Sequence, residues 1–175
     1  VRDEYGHLPN LTCVSKTGKI GYELTKFKSV YDLIIVDCAG ADSVEMRQAV
    51  AVSDLVVVPL QPGQFDIWAV SAIEKVIKEM SHKMDRQINA YTLLTRVHSN
   101  PGVRETQEAI ESLKEYETTL PMMRAMICNR VSYNRANKQG LGVIELKGAE
   151  KDSAANVELI NLYQEIFNEK YQAGE

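Results

Sequence analysis

Two short apolar runs, Leu33 to Val36 and Leu55 to Val58, place the tightest limit on what this chain can fold into. Both are rich in Ile and Val. Asp32 and Asp37 bound the first, Asp54 and Pro59 the second. Runs of this length and composition form strands buried on both faces, the habit of parallel sheets in α/β proteins. Between them Val44, Ala49, Val50 and Ala51 give a short helical pattern suited to a crossover. The pattern predicts an α/β fold: a mostly parallel sheet of about five strands flanked by helices. It also sets Asp37 at the carboxyl end of a central strand, where such sheets bind ligands.

The remaining elements follow from periodicity. Asn10 to Val14 predicts a first strand, and Ile20 to Val30 a short helix with Leu24 and Phe27 inward. A long helix beginning near Phe65 or Asp66 carries Trp68, Ala69, Ala72, Ile73, Val76, Ile77, Met80 and Met84 at i, i+3, i+4 spacing, with Trp68 and the methionines expected in the core. Ile88 to Val97 predicts a strand ending in Thr95-Arg96. Asn100-Pro101 reads as a helix start, with Thr106, Ile110 and Leu113 buried. Met122 to Cys128 predicts the last strand, and Asp152-Ser153 opens a terminal helix.

At 175 residues, 45% hydrophobic, the chain suffices for one domain with a sizeable core, and we expect residues 1–175 to form a single, incomplete domain. No apolar run approaches the ~20 residues of a membrane span. The first ten residues have no apolar centre, and the three cysteines are widely spaced without a metal-binding pattern, which leads us to expect a cytoplasmic protein. Net charge is −4, against wholesale nucleic-acid binding, yet residues 121–151 hold six basic side chains against two acidic ones. Two readings of that segment stay open: a phosphate-facing patch, or a solvated surface with chance clustering. The three histidines lie apart from any nucleophile motif, so no Ser-His-Asp arrangement can be built.

An apolar strand closed by a carboxylate is the form of a Walker B element, which holds Mg²⁺ through water. Cys38-Ala39-Gly40 then offers small residues where backbone could approach a phosphate. The only loop resembling a phosphate cradle, Ser15-Lys16-Thr17-Gly18-Lys19, has Cys13 where the first Gly of G-x-x-x-x-G-K-[ST] belongs and Ile20 where Ser or Thr belongs; it reads as a plain turn. The pattern D-C-A-G, a short helix, then S-D-L-V-V-V-P-L-Q-P resembles the ParA/MinD-like partition ATPases, most closely the plasmid-partition branch, from about Tyr31 onward. The chain looks like the C-terminal two-thirds of such an ATPase, without the P-loop.

That resemblance implies a P-loop NTPase-like fold missing its first central strands, with the strands around 33–37 and 55–60 either pairing directly or pairing with another molecule. It implies an ATP- and Mg-dependent homodimer that segregates plasmid or chromosomal DNA, binds DNA non-specifically and is stimulated by a centromere-binding adaptor, with no membrane attachment. By position, Asp37 would hold Mg²⁺ and Gly40 would sense the γ-phosphate. Thr95, Arg96, Asn129 and Arg130 would lie beside the adenine, and Arg135 and Lys138 would face DNA. The alternative is a non-catalytic DNA- or partner-binding remnant of the same fold.

Overall fold

The computed structural model describes residues 6, 8, 9, 11–40, 42–100 and 102–167. Its centre is a parallel three-stranded sheet in the order β1-β2-β3, formed by Val56–Leu60, Ala90–Val97 and Ile127–Cys128. The helices are α1 (Ile20–Phe27), α2 (Val44–Val52), α3 (Gln64–Met84), α4 (Arg104–Leu113), α5 (Val131–Lys138) and α6 (Ser153–Phe167). The class is the one expected; the strand count is three rather than five.

Strand β2 sits in the middle because its sequence, AYTLLTRV, can be buried on both faces: Ala90, Thr92, Leu93, Leu94 and Val97 are all enclosed. It pairs in register with β1 from Val56 opposite Ala90 to Leu60 opposite Leu94. On its other side Thr92 bridges Met122, its amide donating to the Pro121 carbonyl at 3.0 Å, before the ladder to β3 begins at Thr95 opposite Ile127. Met46 and Val50 of α2, Val70, Val76, Ile77 and Met80 of α3, and Ala109 and Leu113 of α4 join this strand in one apolar cluster. A smaller cluster binds α5 to α6 through Ala136, Val143, Leu146 and Ala155.

Three expectations fail, each for a physical reason. The run Leu33 to Val36 forms no strand: residues 33–39 are unpaired, Leu33 is 57% exposed and Ile35 83%. Direct closure onto β1 does not occur, since among the described residues no backbone hydrogen bond joins 32–40 to it. The Val56 amide donates to the Asn89 carbonyl at 2.8 Å, so Val56, Val58 and Leu60 spend their backbone groups on β2. Val57 and Pro59 face the open edge, and Pro59 has no N–H to offer a further strand. Residues 11–14 likewise form no strand and are exposed; Asn10 lies outside the described residues.

Trp68 is 60% exposed, and Met84 is exposed at the last turn of α3. Ile73, Val76, Ile77 and Met80 reach the core as expected and Val70 joins them, but Trp68 lies well round the helix from the centre of that stripe. The side chains of Phe65 and Asp66 lie outside the described residues. Asn100 is not the cap of α4: Val103 occupies that position, while Asn100 Oδ1 accepts from the Gly102 amide at 3.0 Å in a local turn. Pro101 lies outside the described residues.

The turn at Ser15 to Lys19 is tied down through the backbone of Gly18. Gly18, at φ +81°, donates its amide to Glu45 Oε1 at 2.7 Å, and Gln48 Nε2 donates back to its carbonyl at 3.1 Å, docking the turn on α2.

Leu94 has no exposed surface and stands where the apolar cluster converges. Leu94→Ala should lower unfolding free energy by about 2–5 kcal/mol, read as a fall in the urea midpoint with an unchanged slope.

Candidate functional site

The sheet's strands all point the same way, so their carboxyl ends, Leu60, Val97 and Cys128, share one rim. Such a rim is the natural ligand-binding edge, because the chain leaves the sheet there in loops that the sheet itself holds in place. At this rim lies a cavity of about 360 Å³ lined by Thr95, Arg96, Cys128, Asn129, Arg130, Tyr133 and neighbouring side chains. All four residues expected beside an adenine ring are therefore gathered around one space.

A bulge makes this arrangement. Thr95 pairs with Ile127 and Val97 with Cys128, leaving Arg96 as an extra residue between two successive rungs. Its φ is +53°, in the left-handed region that arginine rarely adopts. Arg96 is exposed, so no close packing compels that conformation. The bulge turns a side chain that would lie along the strand into the cavity wall. Thr95 is held in turn: its hydroxyl donates to the Leu60 carbonyl at 3.1 Å, tying the ends of β1 and β2 together.

Arg130 has a different environment. It leads into α5, and its guanidinium meets Glu158 of α6, with Nε at 2.8 Å and Nη2 at 2.7 Å from Oε1. The same carboxylate accepts from the Cys128 amide at 3.1 Å and the Tyr133 hydroxyl at 3.1 Å. Burial pushes the Glu158 carboxyl up, but the hydrogen bonds from Arg130, Cys128 and Tyr133 outweigh it and hold the group below the ordinary glutamate value. Burial and then the Glu158 charge push the Tyr133 phenol up, so it is a hydrogen-bond donor throughout the physiological range. The Cys128 thiol is raised by burial first and then by its hydrogen bond to Glu158 and the charge of that carboxylate. Two turns of α6 later, Glu165 accepts from the Arg124 and Ala125 amides, both at 2.8 Å. Two carboxylates on one face of α6 thus satisfy backbone donors along the outer edge of the 122–128 segment, where a further strand would otherwise pair. Sequence reading missed Glu158 and Glu165. Their seven-residue spacing was the available signal, but it has meaning only once α6 is known to lie against that edge.

The other expected site residues are not gathered here. Asp37 and Gly40 lie on the unpaired segment 33–40, both exposed and outside the cavity lining. Among the described residues no group of three or more His, Cys, Asp or Glu could hold a metal ion. One exposed carboxylate does not by itself make a Mg²⁺ site, which needs further oxygen ligands or substrate phosphates. Arg135 lies 3.8 Å from Glu150, and Lys138 projects from the last turn of α5 with no such partner among the described residues. The basic stretch 121–151 is thus partly neutralised, since Arg130 and Arg135 both face carboxylates. No helix among the described residues is long and apolar enough to cross a membrane.

A family model described as an AAA domain matches residues 11–90, just under half of the chain. The chain is 26% identical over 139 residues to the maintenance of carboxysome distribution protein A of Halothiobacillus neapolitanus, covering 78% of this chain and 61% of that protein. It is 21% identical over 137 residues to an uncharacterized protein of Methanocaldococcus jannaschii, covering 78% of this chain and 52% of that one. The match therefore spans somewhat over half the length of either relative.

Two predictions follow from this geometry. Because Arg96 holds a left-handed backbone, Arg96→Gly should be more stable than Arg96→Ala by about 1 kcal/mol, since only glycine adopts that φ freely; chemical denaturation of the pair measures it. The Glu158 contacts stabilise the fold at pH above the ordinary glutamate value, and that contribution is lost as pH falls through the lower value the group has in the folded chain. The unfolding midpoint should drop on acidification, and in Glu158→Gln it should be lower at neutral pH but change less between neutral pH and about pH 3.

Proposed function

We propose that this chain is the base-recognising and DNA-facing part of a ParA-like ATPase that positions or partitions a cellular cargo. The observation that supports it most is the cavity at the carboxyl ends of β2 and β3, where Thr95, Arg96, Asn129 and Arg130 meet. Its chemistry suits a planar heterocycle with donors and acceptors on its edge. Arg96 supplies a guanidinium that can stack on a ring face, and Asn129 and Asn134 supply amides able both to donate and to accept. Arg130 is clamped by Glu158, so its role is to hold the cavity wall rather than to supply an unpaired charge. The match of residues 11–90 to an AAA-domain model and the similarity to a carboxysome distribution protein support the ATPase and positioning parts of the reading.

In the full-length form, Asp37 would orient Mg²⁺ and its waters, and Gly40 would approach the γ-phosphate by its backbone amide. Both would need the phosphate cradle, whose motif this sequence does not contain. ATP-Mg, non-specific DNA contacted by Arg135 and Lys138, a centromere-binding adaptor and a homodimer complete the reading; plasmid partition is the cargo assignment closest to the sequence resemblance. A non-catalytic binding role for this chain on its own is favoured by the exposed, unpaired placement of Asp37.

The test is direct. The 175-residue chain should bind an adenine nucleotide weakly, and Arg96→Ala should weaken that binding about tenfold, while hydrolysis stays at background. Mg²⁺-dependent turnover that disappears in Asp37→Ala would show that the chain carries a complete catalytic centre. Nucleotide binding indifferent to Arg96 would remove the cavity from the account.

A further inference from the structure

A second cavity, of about 470 Å³, opens between the single turns Val143–Glu145 and Gly148–Glu150 and the side of α6. Its aliphatic wall is Ile144, Leu146 and Ile160; its polar groups are Lys147, Lys151 and Asn156. No acidic residue lines it. The two carboxylates on this stretch are engaged elsewhere: Glu145 Oε2 accepts from the Gly142 amide at 2.6 Å, and Glu150 accepts from Gln139 Nε2 at 2.9 Å beside Arg135. Among the described residues neither lysine ammonium has an ion pair or hydrogen bond, so two cations meet the cavity without a counter-charge. Asn156 adds an unused amide. Its Oδ1 is enclosed with no partner, so the part of the amide left to a ligand is its N–H group.

We propose that this cavity is a docking site for an acidic peptide segment of a partner protein. One carboxylate would lie between Lys147 and Lys151, and an adjoining aliphatic side chain would rest on Ile144 and Ile160. Charge complementarity requires an anion, and the aliphatic half of the wall separates the alternatives. A bare phosphate or a nucleic-acid backbone leaves Ile144 and Ile160 uncovered, whereas a peptide covers them with a side chain. A peptide carbonyl also offers an acceptor to the side-chain N–H group of Asn156, which lines the cavity. The site is separate from the cavity between β2 and β3 and does not depend on nucleotide.

The ¹⁵N-labelled full chain can be titrated with the peptide acetyl-Ile-Asp-Leu-amide. Saturable shifts are expected at the Asn156 side-chain amide and the Gly148 and Lys151 backbone, weakening as salt rises. Affinity should fall about tenfold in Lys147→Glu and in Lys151→Gln, both changes at exposed positions, with each variant's spectrum keeping its dispersion. The proposal is overturned if no saturable shift occurs up to about 10 mM peptide, a ceiling above millimolar dissociation constants. It is also overturned if acetyl-Ile-Asn-Leu-amide produces the same shifts, or if inorganic phosphate or a short DNA duplex displaces the peptide as effectively as unlabelled peptide does.

Discussion

Burial of β2 on both faces is the constraint from which the rest of this structure follows. A strand enclosed above and below cannot leave its backbone groups to water, so both of its edges must be paired. The ladder to β1 supplies one edge; the Pro121–Met123 contacts and β3 supply the other. Because both partners run parallel to it, the three carboxyl ends lie together, and the loops beyond them form one wall. Helices α2, α3 and α4 then cover the strand with the apolar stripe that the core requires.

The two outer edges of this sheet are resolved differently. Beyond β3, α6 supplies carboxylates where another strand would have supplied carbonyls: Glu165 takes two amides and Glu158 takes one, together with the Arg130 guanidinium. The edge is closed, and the same ion pair fixes the lip of the cavity. Beyond β1 nothing equivalent is present among the described residues. Val57 and Pro59 face an open side, and Leu33, Ile35 and Val36, which the sequence marks as sheet residues, are exposed. An apolar run of that composition in an extended, unpaired state is the mark of a strand without a hydrogen-bonding neighbour among the described residues.

The site shows how little separates a surface charge from a binding residue. Arg96 and Arg130 are both basic residues just after strands. The first is lifted out by one extra residue in the ladder and stands at the cavity with a strained backbone; the second is tied to a carboxylate from an element 28 residues further on. Local sequence does not distinguish them, because the difference lies in what each packs against.

From sequence alone, the α/β class, β1, β2, the crossover helix α2 and the long helix α3 were legible, because they depend on short-range periodicity. The grouping of Thr95, Arg96, Asn129 and Arg130 was implied by the family resemblance, and the parallel strands bring the four together by placing their carboxyl ends side by side. The bulge at Arg96, the α6 carboxylates on the open amides, the outward turn of Trp68 and the unpaired state of 33–36 were decided by the tertiary structure. Each depends on whether a neighbour is present at hydrogen-bonding or packing distance. Strand-forming composition makes a segment ready to pair, but only a partner edge makes it a strand.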